Sequence, residues 1–252
     1  MKVGYFWPVF AEEEVAFVYA STRGHRVVAE VLGKGCKKLL GDGYSAYERY
    51  AESREGLIHA QCWAHVRRQF FEAREHSPPE CDKVLKLINQ LFEIESRLKN
   101  ASDEDVLVTR RLQSLPLVNE LFTYLNQLWF EQMVERISLL GKAVAYARSR
   151  EERLRYFLQY AELPLSNNQV ERLIRPAALG RKNWLFCWTA VGAKYAAIAY
   201  TLVECCKLHG VDPWRYRVDV LQRLDSHPAK DVYDLAPKNW RMLNRAEVKD
   251  AA

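Results

Sequence analysis

The chain opens with two short stretches dense in aromatic and β-branched residues, 3–10 and 15–20, separated by the acidic run Glu12, Glu13, Glu14. This predicts two strands joined by a short turn. A helix is expected from Thr22 to Leu32. Lys34 to Leu40 then leads into Gly41-Asp42-Gly43, an acid flanked by glycines after a short apolar stretch. Leu57 to Cys62 reads as a further strand. Trp63, Val66, Phe70 and Ala73 recur at helical spacing, and Pro78-Pro79 is expected to end that helix.

Residues 80–160 are helical in pattern almost throughout. Val84, Leu87, Ile88, Leu91 and Leu98 fall on one amphipathic face. The charged stretch Ser102 to Asp105 breaks the run, and Pro116 suits the first turn of a further helix. Leu163-Pro164-Leu165-Ser166 closes the region, and another helix follows. Near the C-terminus Tyr195, Ile198, Ala199, Leu202, Cys205 and Cys206 form one apolar face. Gly210 stops that helix, and Asp212-Pro213 starts the next at once, as an N-cap followed by proline at the first helical position. After Leu224 the tail reads as polar and irregular. Strands first and helices later predict an α/β or α+β core with a long helical insertion.

Composition bounds what such a chain does. Its 252 residues, 49% apolar and 27% charged, exclude a disordered tail. Lys plus Arg exceeds Asp plus Glu by 37 − 32 = 5, an excess that permits a polyanionic partner without arguing for one. Six cysteines without a CxxC pair read as reduced thiols of a cytoplasmic protein. The longest apolar run, Ala196 to Val203, is far short of the about 20 residues a membrane span needs, and Gly4, Trp7 and Pro8 interrupt any signal peptide. No membrane partner is expected.

Three segments carry candidate chemistry. Asp42, at a strand end between glycines, is placed as a metal ligand would be, although Asp-Gly is also a common turn dipeptide. In Ser166 to Trp184, read as a helix, Asn168, Glu171, Arg172 and Arg175 share one face and Val170, Leu173, Ile174 and Ala177 the other. Pro176 is expected to kink or end this helix, with Arg181 and Lys182 just beyond. One reading is a metal-binding carboxylate, Glu171, among cations that hold phosphates. The other is a capping box from Asn168 to Glu171 with a solvated Glu171–Arg175 pair, which spacing alone favours. In Cys62-Trp63-Ala64-His65-Val66-Arg67-Arg68, half a zinc site lacks a second pair. There His65, Arg67 and Arg68 either line a DNA-facing surface, or Cys62 is simply buried and His65 hydrogen-bonded at a strand–helix junction with the arginines in solvent. The helix pair 195–224 reads as a hairpin packed on the core rather than a DNA-reading helix-turn-helix.

Taken in order, these fragments resemble the DDE transposases of the insertion-sequence 66 family. The matching stretches are Gly4-Tyr5-Phe6-Trp7, Asp42-Gly43-Tyr44-Ser45-Ala46-Tyr47, Cys62 through Arg68, Leu163 through Arg172, Ile174-Arg175-Pro176, Gly180 through Phe186, and Cys206 through Pro213. The resemblance implies an α/β, RNase H-like core: 1–79 its first part, 80–162 a helical insertion, 163–186 its last part, and 187–252 a helical C-terminal element and tail. It also implies two Mg²⁺ ions, or Mn²⁺, held by Asp, Asp and Glu, with Asp42 matching the second acid and Glu171 the third. His65, Arg67, Arg68, Asn168, Arg172, Arg175, Arg181 and Lys182 are then candidate contacts to double-stranded DNA. A homo-oligomer and accessory transposon proteins are further expected partners.

One departure shapes the expectation. The family's first Asp lies in an Asp-Glu-Thr segment upstream of the Gly-Tyr-Phe-Trp strand, where this chain begins. An RNase H-like core needs three strands before Asp42, and two are counted. The family's N-terminal zinc-binding segment has no match either. The sequence therefore reads as an incomplete core, lacking its first strand, inactive alone and of marginal stability. The alternative is a catalytically dead remnant that only binds DNA or a partner protein.

Overall fold

The computed structural model describes residues 4–11, 13–131, 134–184, 187 and 189–240. It is a mostly helical α/β chain with two small sheets. It divides into two compact units, one formed by residues 28–168 and the other by 1–27 with 169–252.

In the discontinuous unit, β1 (Tyr5–Phe10) pairs antiparallel with β2 (Val15–Ala20), Phe10 opposite Val15 and Tyr5 opposite Ala20. Backbone bonds between Ala11 and Glu14 close the turn, so Glu13 and Glu14 lie where their sequence placed them. Phe6, Phe10, Val15, Phe17 and Tyr19 share a face that packs on Ala197, Tyr200 and Cys205 of α10 (Ala190–Leu208) and on Leu173 of α9 (Asn168–Trp184). The same helix covers the outer edge of β2: the Phe17 N–H donates to Thr201 Oγ1 (2.9 Å), and Cys205 Sγ donates to the Val15 carbonyl (3.2 Å). Phe17 thus turns its N–H away from β1, and its partner Pro8 faces the opposite edge, where proline contributes no donor.

Helix α10 ends as its sequence predicts. Gly210 takes φ +64°, Asp212 Oδ1 accepts from the amides of Trp214 and Arg215, and α11 (Pro213–Arg223) begins at the proline. The hairpin reading of this pair holds locally, because Cys206, Val211 and Tyr216 form one buried cluster. The tail is more ordered than its polarity suggested. Residues Ala229–Leu235 form a 3₁₀ helix, Tyr216 donates to the Leu235 carbonyl, and the Trp240 indole donates to Asp219. Aromatic anchors override the polar composition there.

The unit 28–168 begins in α1 (His25–Leu32). It then runs β3 (Lys38–Gly41), α2 (Ser45–Glu52), β4 (Ile58–Gln61) and α3 (Trp63–Ala73). Parallel pairing sets Gly41 beside Gln61, so both strands deliver their carboxyl ends to one edge. The helices α4 (Pro78–Arg97), α5 (Asp103–Thr109), α6 (Leu115–Phe130), α7 (Leu139–Arg148) and α8 (Glu151–Arg155) follow. Pro78 and Pro79 do not end α3, which stops at Ala73. They open α4, where a missing N–H costs nothing. Ser102, read as part of a break, caps α5 by accepting the Asp105 amide.

The core of this unit lies between α3, α4, α6 and α7, around Phe70, Ile88, Leu91, Phe122, Leu125 and Val144. Trp63 at the start of α3 anchors it, with edge-on contacts to Phe122 and Phe157 and an indole bond to the Leu154 carbonyl (2.9 Å). One π-helical turn, Arg110–Ser114, joins α5 to α6. It directs the buried Arg110 side chain onto both oxygens of Glu95 (2.8 and 2.7 Å) and the carbonyls of Phe157, Tyr160, Ala161 and Leu163.

Candidate active site

Asp42 follows β3 directly, at the carboxyl end of the parallel pair, where ligands enter open α/β sheets. Its Oδ1 accepts the Tyr44 amide (3.0 Å), which fixes the carboxylate in an Asx turn. Gly43 takes φ +86°, and a Cβ there would lie 2.9 Å from Tyr146 Oη and 3.3 Å from both Gln61 Oε1 and Arg150 Nε. Glycine is therefore required twice, by dihedral and by space. Tyr146 donates to the Asp42 carbonyl (3.3 Å), so α7 of the helical region closes over the turn.

Beneath the turn, His59 and Gln61 project from β4 and are both buried. The Gln61 amide lies 3.4 Å from His59 Nε2, and His59 Nδ1 and Gln61 Oε1 are buried without hydrogen-bond partners. Burial, then the positive charge of Arg153, lowers the His59 pKa from 6.5 to about 4, against a smaller opposing effect of Asp42. His59 is thus neutral at pH 7. The unfolded chain takes up a proton near pH 6.5 that the native state refuses until about pH 4. Stability therefore falls across that window as pH drops, by on the order of 3 kcal/mol. We expect urea midpoints measured between pH 7.5 and pH 4 to fall less steeply for His59→Gln than for the parent. Parallel pH profiles would show that His59 is not the group responsible.

The other sequence candidates fall as follows. His65 and Arg67 on α3 are half-buried and Arg68 is exposed; Arg67 Nε donates to Asn89 Oδ1 of α4 (2.9 Å). Asn168 is the first residue of α9. Glu171 is half-buried in its first turn, and Arg172 and Arg175 are exposed. On the opposite face Ala177 is buried and Leu173 packs inward, but Ile174 is exposed. Pro176 does not end this helix, which continues to Trp184. An exposed helix interior tolerates proline because water satisfies the carbonyl that loses its donor. The side chains of Arg181 and Lys182 lie outside the described part of the structure. Asp42, His65, Arg67, Arg68 and Asn168 belong to the unit 28–168, and Glu171, Arg172 and Arg175 to the other. His59, Gln61, Tyr146, Arg150 and Arg153, which surround the Asp42 turn, were not singled out from sequence. The one available signal was the density of arginine in 148–155, at the junction of two helices.

Among the described residues, no group of three or more His, Cys, Asp or Glu side chains is placed to hold a metal ion, and no helix is long and apolar enough to cross a membrane. Asp42 is thus not joined by two further side chains of these types among the described residues.

Comparison with known proteins gives the class first: residues 1–195 match the profile of a DDE transposase domain, described as "Transposase IS66 family", and residues 201–238 match the "IS66 C-terminal element". The chain belongs to the IS66 transposase family. Similar proteins include three from Sinorhizobium fredii (strain NBRC 101917 / NGR234). "Uncharacterized protein y4hP" is 32% identical over 255 residues, covering 94% of this chain and 46% of that protein. "Uncharacterized protein y4jD" is 29% identical over 243 residues, with 93% and 47% covered. "Uncharacterized protein y4qI" is 32% identical over 238 residues, with 90% and 43% covered. The chain thus spans about half the length of these relatives. No solved structure matches it.

Proposed function

We propose that this chain contributes the RNase H-like core of a transposase that cuts and joins DNA, with Asp42 and Glu171 as two of the carboxylates of a shared metal centre. The observation that carries this reading is the Asp42 turn: an acid at a parallel strand's carboxyl end, held by the Tyr44 amide and lying in a stretch that matches the family. Glu171 joins it on the family match and on its place in the first turn of α9, beside the exposed cations Arg172 and Arg175.

A pair of Mg²⁺ or Mn²⁺ ions, when bound, supplies Lewis-acid activation of the phosphodiester. The protein's own share is to hold charge. Asp42 and Glu171 present carboxylates. Arg172, Arg175, Arg181 and Lys182 offset phosphate charge along α9. Asn168 and the α3 residues His65, Arg67 and Arg68 extend that contact to the duplex. DNA ends and target DNA are the substrates, and the partners are a second copy or other proteins of the same element.

The shared centre is tested by placement. With Fe²⁺ in place of Mg²⁺ and peroxide added, the backbone is cut beside bound metal. Cuts are expected near both residue 42 and residue 171, and both should disappear with Asp42→Asn or excess Mg²⁺. Cuts at only one of the two positions would overturn the assignment of a common centre.

A further inference from the structure

Among the described residues of the unit 28–168, Arg74 pairs with Asp82, Arg110 with Glu95 and Arg155 with Glu151, and the arrangement around Glu48 differs from these. Arg110 meets Glu95 at 2.7 Å and Arg155 meets Glu151 at 2.8 Å, the spacing of charge-assisted bonds. Around Glu48 of α2 the fit is loose. Arg153 approaches its Oε1 at 3.3 Å and Arg150 approaches the same oxygen at 3.6 Å. One oxygen of a single carboxylate thus faces two guanidinium groups.

Arg150 is held in place with its capacity unused. Its Nη1 donates to Ser149 Oγ (3.0 Å) and the Tyr146 carbonyl (3.4 Å), and its guanidinium lies 4.0 Å from the Tyr146 ring centre. Its Nε is buried without a hydrogen-bond partner, a condition uncommon among the buried polar groups of native proteins. That nitrogen is 3.3 Å from the position a Cβ on Gly43 would take, and Tyr146 itself bonds to the Asp42 carbonyl. The arginine pair therefore flanks the turn that carries the acid. A phosphodiester has one negative charge and two free oxygens, which suits two guanidinium groups better than a single carboxylate oxygen shared at 3.3 and 3.6 Å.

We propose that Arg150 and Arg153 form a phosphate-binding pair for the DNA backbone beside Asp42, and that Glu48 occupies this pair when DNA is absent. The helical region between Asp42 and Glu171 is then a working part of the DNA-binding surface rather than a spacer. Binding at this pair exchanges Glu48 for a phosphate, without covalent change. The proposal rests on the DNA reading given above.

The test is duplex binding by the full chain, followed by fluorescence anisotropy from 50 to 200 mM NaCl. Arg153→Gln and Arg150→Gln are each expected to weaken binding about fivefold to tenfold for any duplex sequence. Each should also lower the slope of log affinity against log salt by about 0.9. Arg153→Lys should keep the slope. Glu48→Gln should strengthen binding several-fold. Arg97→Gln, on the exposed end of α4, is the charge-matched control. Arginine variants indistinguishable from Arg97→Gln would overturn the pair, and an unchanged Glu48→Gln would overturn the exchange. Should Arg150→Gln fail to fold, the more exposed Arg153 and Glu48 variants decide. A parent chain with no salt-dependent DNA binding sinks the DNA reading itself, which separates the two failures.

Discussion

Asp42→Asn and Glu171→Gln are each expected to lower transposition of a marked element by about a thousandfold or more, scored as insertion frequency in cells that supply this chain together with the other proteins of the element. Both substitutions are nearly isosteric. The asparagine of Asp42→Asn retains an oxygen for the Tyr44 amide, so the turn beside Gly43 should persist while the negative charge is lost. Glu171 lies in the first turn of α9, where glutamine preserves the helix. What disappears in each case is an anionic ligand, and members of one catalytic unit fail together. The double variant should therefore be no worse than either single one. Protein levels and circular dichroism of the variants separate lost chemistry from lost fold. An Asp42→Asn frequency within a few-fold of the parent would remove Asp42 from the reaction.

Arg110→Met should destabilise the chain by roughly 3–5 kcal/mol, the cost of breaking a buried ion pair from one side. Arg110 is 3% exposed, and its guanidinium serves both Glu95 oxygens and four backbone carbonyls between Phe157 and Leu163. Methionine fills the volume but leaves a half-buried carboxylate and a set of carbonyls without their donor. Against a typical total of about 5–15 kcal/mol, that loss decides whether the unit stays folded at 37 °C. Arg110→Lys should recover little, because an ammonium cannot span a carboxylate fork and a row of carbonyls together. Urea unfolding of the three proteins measures this. A Lys variant matching the parent would mean that charge alone, not the planar fork, holds the segment.

What was legible in the sequence was local. The β1–β2 hairpin, the stop at Gly210 and the start at Asp212-Pro213 were all readable, because each depends on residues a few positions apart. The Asp42 turn was visible for the same reason, and so were Leu173 and Ala177 on the inward side of α9, though not the exposure of Ile174. Pro78-Pro79 misled because proline marks both the end of one helix and the start of the next, and only packing decides which. Of the two outcomes expected at Pro176, an end to the helix does not occur, because the cost of an internal proline depends on exposure, which spacing does not report. The surroundings of Asp42 were not legible at all. Tyr146 and Arg150 lie more than a hundred positions downstream on a helical stretch whose own periodicity explains only its burial. Their relation to Gly43 arises from how α7 and α8 pack, and Arg110 acquires its role from a π turn that no local signal announced.

The chain's division has a bearing on its synthesis. Residues 28–168 are contiguous, so their core around Trp63, Phe122 and Val144 can consolidate as soon as that length has left the ribosome. The hairpin 5–20 precedes that core in the chain but finds its apolar partner in α10, which follows it. Until Ala197 and Tyr200 arrive, Phe6, Phe10 and Phe17 have no cover from that helix. The hairpin is thus made before this core and buried after it, and in the interval it is a sticky aromatic ribbon of the kind that chaperones shield.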